Sequence, residues 1–90
     1  MIVRMWEVRA HPEGFADLLS WVCDAAVPAV EEHPLHVSSE IFSSTDGRIL
    51  VISRWRSGTG WADGPPALAD PPGHLVARKP HSWDFTPVDR

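Results

Sequence analysis

The sequence predicts an α+β domain, a four-stranded antiparallel sheet in the order 4-1-3-2 with helices on one face. Three observations carry that prediction. Residues 34–57 read as two strands around a Thr45-Asp46-Gly47 turn, and the second strand is apolar on both sides, with Ile49, Val51 and Trp55 on one and Leu50 and Ile52 on the other. Phe15, Leu18, Leu19, Val22, Ala26 and Val30 recur three or four apart, the stripe of an amphipathic helix. Residues 2–9 alternate with both faces mainly apolar, which suits a central strand.

Taken in order, the first strand sets Ile2, Arg4, Trp6 and Val8 against Val3, Met5 and Glu7. Pro12 in the following turn fits the first turn of a helix, where its missing N–H has no intrahelical role. The helix begins at Phe15, with Asp17, Asp24 and Glu31 off the apolar stripe. Pro28 predicts a kink or break near Val27, because it removes a donor and clashes with the preceding turn, and Pro34 ends the element. Residues 35–44 place Leu35, Val37 and Ile41 on one face and His36, Glu40 and Phe42 on the other, and their serines suit an edge strand.

Residues 57–69 hold Gly58, Gly60, Gly64, Pro65 and Pro66, too many breakers for a long helix, so the expectation is a short irregular one with Trp61 and Leu68 facing inward. Pro71-Pro72-Gly73 interrupts it, and 74–79 adds a turn or two. Residues 81–88 alternate Trp83 and Phe85, expected inward, with Ser82, Asp84 and Thr86. The flanking Pro80 and Pro87 favour an edge, since proline cannot donate to a ladder. The result is a ferredoxin-like βαββαβ sandwich spanning 1–90 as one domain.

A chain of 90 residues hides only about 60 to 65% of the surface its unfolded form exposes, so its core alone is marginal. An antiparallel sheet in a small domain normally leaves one face in water. Here the second face is apolar too, and a homodimer through it would bury area at roughly 25 cal/mol per Å² as a gross term. The net charge of -4, with Arg and Lys scattered, supplies no basic stripe and argues against nucleic acid as a partner. No segment has the apolar length of a membrane span, and Glu7 and Arg9 stand where a signal peptide needs its apolar block, so the expectation is a soluble cytoplasmic protein without a membrane partner. Cys23 is the lone cysteine, which excludes a disulfide within the chain and predicts a buried inert thiol. Trp occurs 5 times and Tyr not at all, and Asn and Gln are absent, so chemistry falls to Arg, His, Trp, Ser and carboxylates.

Arg4 interrupts an apolar strand face, and a buried guanidinium needs a carboxylate or a bound anion. Glu40 is the expected ion-pair partner; binding a phenolate or carboxylate is the functional alternative. Trp61 could stack on a flat aromatic ligand or pack in the core, and Trp6, Trp55 and Trp83 either pack in the core or dimer seam or line a pocket. His74, after the rigid Pro-Pro-Gly loop, could take a phenolic proton or bind a metal at a pocket mouth, or lie exposed in solvent, and His81 has the same ambiguity. His11, His33 and His36 lie at element ends and read as surface or capping residues.

The strand MWEVRA, the helix end AVPAVEEHP, the hairpin EIFSSTDGRILVISRWRS and the segment GWADGPPALADPPGH together resemble the antibiotic biosynthesis monooxygenase-like family over essentially the whole chain. That resemblance implies a ferredoxin-like fold that dimerises sheet to sheet into an α+β barrel. The fourth segment is similar to haem-degrading members, in which a tryptophan is followed by the histidine that ligates haem iron. Trp61 falls on that tryptophan position. The histidine position falls nearer Asp70, with His74 as its neighbour, and an asparagine of the haem degraders aligns with Arg4. The resemblance thus implies a cofactor-independent monooxygenase acting on a hydroxyaromatic or quinol-like molecule, with His74 as base, Arg4 stabilising an oxyanion, Trp61 beside the substrate, and Trp6, Trp55 and His81 shaping the pocket. The alternatives are a haem-binding or haem-degrading enzyme with His74 as axial ligand, and a non-catalytic dimeric module that binds a small ligand or a partner protein.

Overall fold

A computed structural model of the chain describes residues 1–57 and 64–90. Four strands, β1 (Ile2–Ala10), β2 (His36–Ser43), β3 (Arg48–Trp55) and β4 (Val76–Phe85), form one antiparallel sheet in the order β2-β3-β1-β4. This is the expected 4-1-3-2 order read from the other edge, and the α+β ferredoxin-like class holds. Strands β1 and β3 are central because both their faces are apolar enough to lose water.

Alternation decides which side each residue serves. Trp6, Val8 and Ala10 of β1 and Ile49, Val51 and Trp55 of β3 point to the helix side and are buried. Leu18 and Val22 meet them from the helix, both fully inaccessible. Each such side chain gains about 1.5 to 3 kcal/mol on leaving water.

The helix starts after a 3₁₀ turn at Pro12–Gly14 and passes from α1 (Phe15–Trp21) through a π-helical stretch, Val22–Ala26, into α2 (Val27–Glu31). The distortion expected near Val27 takes this π form. Proline's ring strikes the carbonyl four residues back, at Asp24, and a widened turn makes room there. Ala26, Val27 and Val30 stay on the buried stripe. Cys23 lies on the opposite side of the stripe and is exposed, which corrects the buried thiol.

In the β2–β3 turn Gly47 has φ 86°, the left-handed region that favours glycine. Ser44 donates its hydroxyl to Asp46, and Arg48 Nε donates to the same carboxylate at 3.1 Å. These bonds, that from Ser44 foremost, hold the Asp46 carboxyl below its ordinary value.

Three expectations change. No regular helix appears within 64–72, where Pro65, Pro66, Pro71 and Pro72 cannot donate backbone bonds; Trp61 lies outside the described residues. A short 3₁₀ turn, Gly73–Leu75, leads directly into β4, which starts at Val76 and runs through Pro80. The register of β4 on β1 slips between Glu7 and Arg9 and again between Arg9 and Ala10. With Asp84 opposite Arg4 and Trp83 opposite Met5, Ser82 and Asp84 take the helix side, while Trp83 and Phe85 stand on the helix-free face at 48% and 50% exposure. The inward placement of Trp83 and Phe85 is therefore reversed.

In β2 a register shift between His36 and Ser38 carries His36 onto the face of Ser39 and Ile41. Val37 is left exposed. No helix among the described residues is long and apolar enough to cross a membrane.

Candidate functional site

The helix side of the sheet bears a partly open cavity of about 180 Å³ between β1, β3, β4 and the segment 64–72. Trp6, Val51 and Trp55 form its floor, Val30 of α2 closes one side, and Pro66, Ala67 and Leu68 cross above. The groups of mixed polarity on its wall are Arg4, Ser53, Ser82, Asp70 and His81. A wider groove at the hairpin end, lined by Pro12, Phe15 and residues 44–47, has Asp46 as its charged group, and that carboxylate is occupied by Ser44 and Arg48. The smaller cavity is where apolar floor and convergent polar groups coincide.

Arg4 is the organising residue. Its side chain is 15% exposed, and Nε and Nη2 donate to the two oxygens of Asp84 at 2.6 and 2.8 Å. Nη1 donates to the Pro65 carbonyl at 2.8 Å and more weakly to that of Pro66 at 3.4 Å. A planar fork matches a carboxylate in this way and leaves further donors for carbonyls. Arg4 thus ties the edge strand and the crossing segment to the central strand. The segment can come this close because Gly64 has φ 75°, a conformation that places the prolines over the guanidinium. The expected partner Glu40 sits on the other face of the sheet and accepts from Arg54 instead. The Arg4 bonds hold the Asp84 carboxyl below its ordinary 3.8, against a smaller opposing effect of burial.

Ser53 replaces an apolar residue on the inward face of β3 and is buried. It accepts from Trp55 Nε1–H at 2.9 Å, which fixes the indole of the floor. His33 and His36 flank the same indole edge-on, with ring centroids 5.7 and 5.0 Å away. His33 Nδ1 accepts from the Leu35 backbone N–H, and His36 Nε2 lies 2.7 Å from Ser39 Oγ. Both are half-buried supports of Trp55, which corrects the surface part of their reading, while the bond from Leu35 N–H gives His33 a capping role as well.

Of the residues singled out by the sequence, Arg4, Trp6, Trp55 and His81 border the cavity. His81 does so only by its place in β4, since it pairs with Glu7 and its ring stacks on that of Trp83 on the helix-free face, 6.1 Å between centroids. His74 is not among them. It lies exposed in the turn before β4, at the end of the sheet where Val76 pairs with Ala10, whereas Asp84 pairs with Arg4 at the other end. Six strand residues separate those ends, about 20 Å. His74 is remote from this cavity and is not placed to hold a haem in it.

Ser53, Asp84, Asp70 and the Pro65 carbonyl are site groups that sequence reasoning passed over. Ser53 carried a signal, being the polar member of an otherwise apolar inward series, Ile49, Val51, Ser53, Trp55. Asp84 carried none, since its side of the strand depends on the irregular register of β4.

No protein-family model matches the chain, and no curated protein matches it. Solved structures do. Rv0793 from Mycobacterium tuberculosis superposes with a TM-score of 0.70 at 14% identity, over 99% of this chain and 96% of that one. An antibiotic biosynthesis monooxygenase gives 0.70 at 12% identity over 99% and 100%. The monooxygenase from the gene ActVA-Orf6 of Streptomyces coelicolor, in complex with the ligand nanaomycin D, gives 0.69 at 15% identity over 99% and 88%. The chain thus has the fold of the antibiotic biosynthesis monooxygenase-like proteins that its sequence resembles.

Proposed function

We propose that the protein is a small monooxygenase that oxidises a hydroxyaromatic or quinol-like molecule with dioxygen, the substrate itself supplying the electrons. The observation that carries this reading is the cavity between Trp6 and Trp55, apolar in its floor and bordered by Arg4, Ser53 and Ser82, in a fold whose solved neighbours include a monooxygenase holding a small-molecule ligand.

In this reaction the ring hydroxyl loses its proton to Asp70, the carboxylate on the cavity wall. The electron-rich ring passes one electron to dioxygen, and the two radicals join at a ring carbon para to the oxygen. That carbon gives up its hydrogen as a proton, the O–O bond breaks, and water leaves. One phenol and one dioxygen become one quinone and one water, with no further reductant. Arg4, Ser53 and the dry indole floor serve to bind the ring and exclude water.

Oxygen uptake with a panel of phenols, hydroquinones and an anthrone tests this directly. Stoichiometric uptake that drops at least tenfold in Ser53→Ala supports it; no uptake with any member overturns it. One observation favours a second reading, a non-catalytic ligand-binding module: Arg4, the strongest electrostatic group at the cavity, is already neutralised by Asp84.

We also infer that the protein pairs through its helix-free face. Val3, Met5, Leu50 and Ile52 lie there with Phe42, Trp83 and Phe85, the last three each close to half exposed. These apolar side chains, set beside Glu7 and the Arg54–Glu40 ion pair, favour a cover, and a second copy brings an identical face.

A further inference from the structure

Volume, charge and hydrogen-bonding capacity at the cavity narrow its ligand, given the hydroxyaromatic reading above. We propose that the cavity selects an uncharged, single-ring aromatic bearing a hydroxyl, that Ser53 is the group recognising that hydroxyl, and that Asp84 enforces neutrality by occupying Arg4.

Size comes first. A cavity of about 150 Å³ with apolar walls takes up one benzene ring. The present one has about 180 Å³ and is open on one side, enough for a ring and a substituent over the indoles, while a fused second ring has to extend out through the mouth. Its floor is Trp6 and Trp55, exposed by only 7% and 1%, and Trp55 is braced by Ser53, His33 and His36. Such a floor yields little.

Charge comes second. Arg4 would draw a carboxylate, but each of its three guanidinium nitrogens already donates here, Nε and Nη2 to Asp84 and Nη1 to the Pro65 carbonyl and more weakly to that of Pro66. The pair is neutral as a unit. Asp70, also on the wall, then makes the cavity unfavourable for an anion.

Polarity comes third. A serine hydroxyl has one proton and two lone pairs. Ser53, 6% exposed, uses one lone pair for the Trp55 N–H, and its proton has no acceptor among the described residues. A ring hydroxyl is the complement of what remains, able to accept from Ser53 or to donate to its second lone pair. Loss of that hydroxyl from the ligand leaves a buried polar group unmatched, the arrangement that discriminates most sharply.

The test is a binding titration of the full chain, by tryptophan fluorescence and calorimetry at pH 7, with phenol, benzene, benzoate and 1-naphthol. Phenol is expected to bind at least tenfold more tightly than benzoate or 1-naphthol. Ser53→Ala should weaken phenol about tenfold more than benzene, with Ser53→Thr restoring most of the difference. Asp84→Asn should raise the affinity for benzoate relative to that for phenol at least fivefold. The proposal is overturned if wild type binds 1-naphthol or benzoate as tightly as phenol, if it binds none of the four, or if Ser53→Ala weakens phenol and benzene equally; should the variants fail to fold, the wild-type order decides. Phenol binding without oxygen uptake would remove the monooxygenase reading and leave this one standing, whereas uptake with an anthrone and no binding of phenol would do the reverse.

Discussion

Asp84 grips Arg4 across the β1–β4 pairing with both carboxylate oxygens, and the same guanidinium reaches the Pro65 carbonyl at 2.8 Å. One side chain therefore joins a central strand, an edge strand and the proline-rich segment over the cavity. Because Arg4 is mostly buried and Asp84 is half exposed, the two ends of the pair differ in what their loss costs.

Removing the arginine should cost more than removing its partner. Arg4→Ala loses the packed stem and every bond to the crossing segment, and a loss of about 1 to 3 kcal/mol is expected. Asp84→Asn keeps one acceptor and gives up a pair screened by solvent, so about 1 kcal/mol or less is expected. Urea unfolding midpoints of the two variants check the order. Faster proteolysis within 64–72 in Arg4→Ala alone would confirm that Arg4 tethers the segment.

The pair also sets an acid dependence. The Asp84 carboxyl is held below 3.8 in the folded chain by Arg4. The unfolded chain then binds the proton more readily, so the contribution is complete above the ordinary aspartate value and disappears as pH falls through the depressed one. Asp46 acts in the same direction. Thermal midpoints measured from about pH 5 down to pH 2 should fall, and less steeply in Asp84→Asn. Identical slopes in the variant and wild type would contradict the assignment.

At the β2–β3 turn, Gly47→Ala forces a side chain into φ 86° and sets its Cβ 3.3 Å from the Ala10 carbonyl oxygen. The expected loss is about 1 to 2 kcal/mol. Gly47→Asn should lose less, since asparagine tolerates the left-handed region better. Chemical denaturation of both variants separates the conformational cost from the contact.

If two copies meet on the helix-free face, Ile52→Asp, at the centre of that layer, should convert a sedimenting dimer to a monomer at micromolar concentration while the far-UV spectrum is unchanged. Wild type that sediments as a monomer under the same conditions would remove the proposed pairing.

Much of the fold was legible because its signals are local. The period-two run Ile49–Ile52, the helical stripe through Leu18 and Val22, and the Thr45-Asp46-Gly47 turn each report a conformation to near neighbours in the chain, and the structure realises all of them. The distortion at Pro28 was readable for the same reason. Trp6 and Trp55 could be placed on their strands for the same reason, while the choice between core and pocket lining stayed open.

What the amino-acid sequence determined by itself was thus the class of fold, the order of the strands, the two-sided apolar character of the sheet and the oddity of Arg4. Tertiary structure alone decided that Asp84 and not Glu40 meets Arg4, that Trp83 and Phe85 face away from the helix, and that His74 sits remote from the cavity. The physical reason is register. Each slip of one residue in β4 exchanges its inward and outward sides, and those slips depend on how an edge strand containing Pro80 settles against β1, a choice made by contacts some eighty positions apart in the chain.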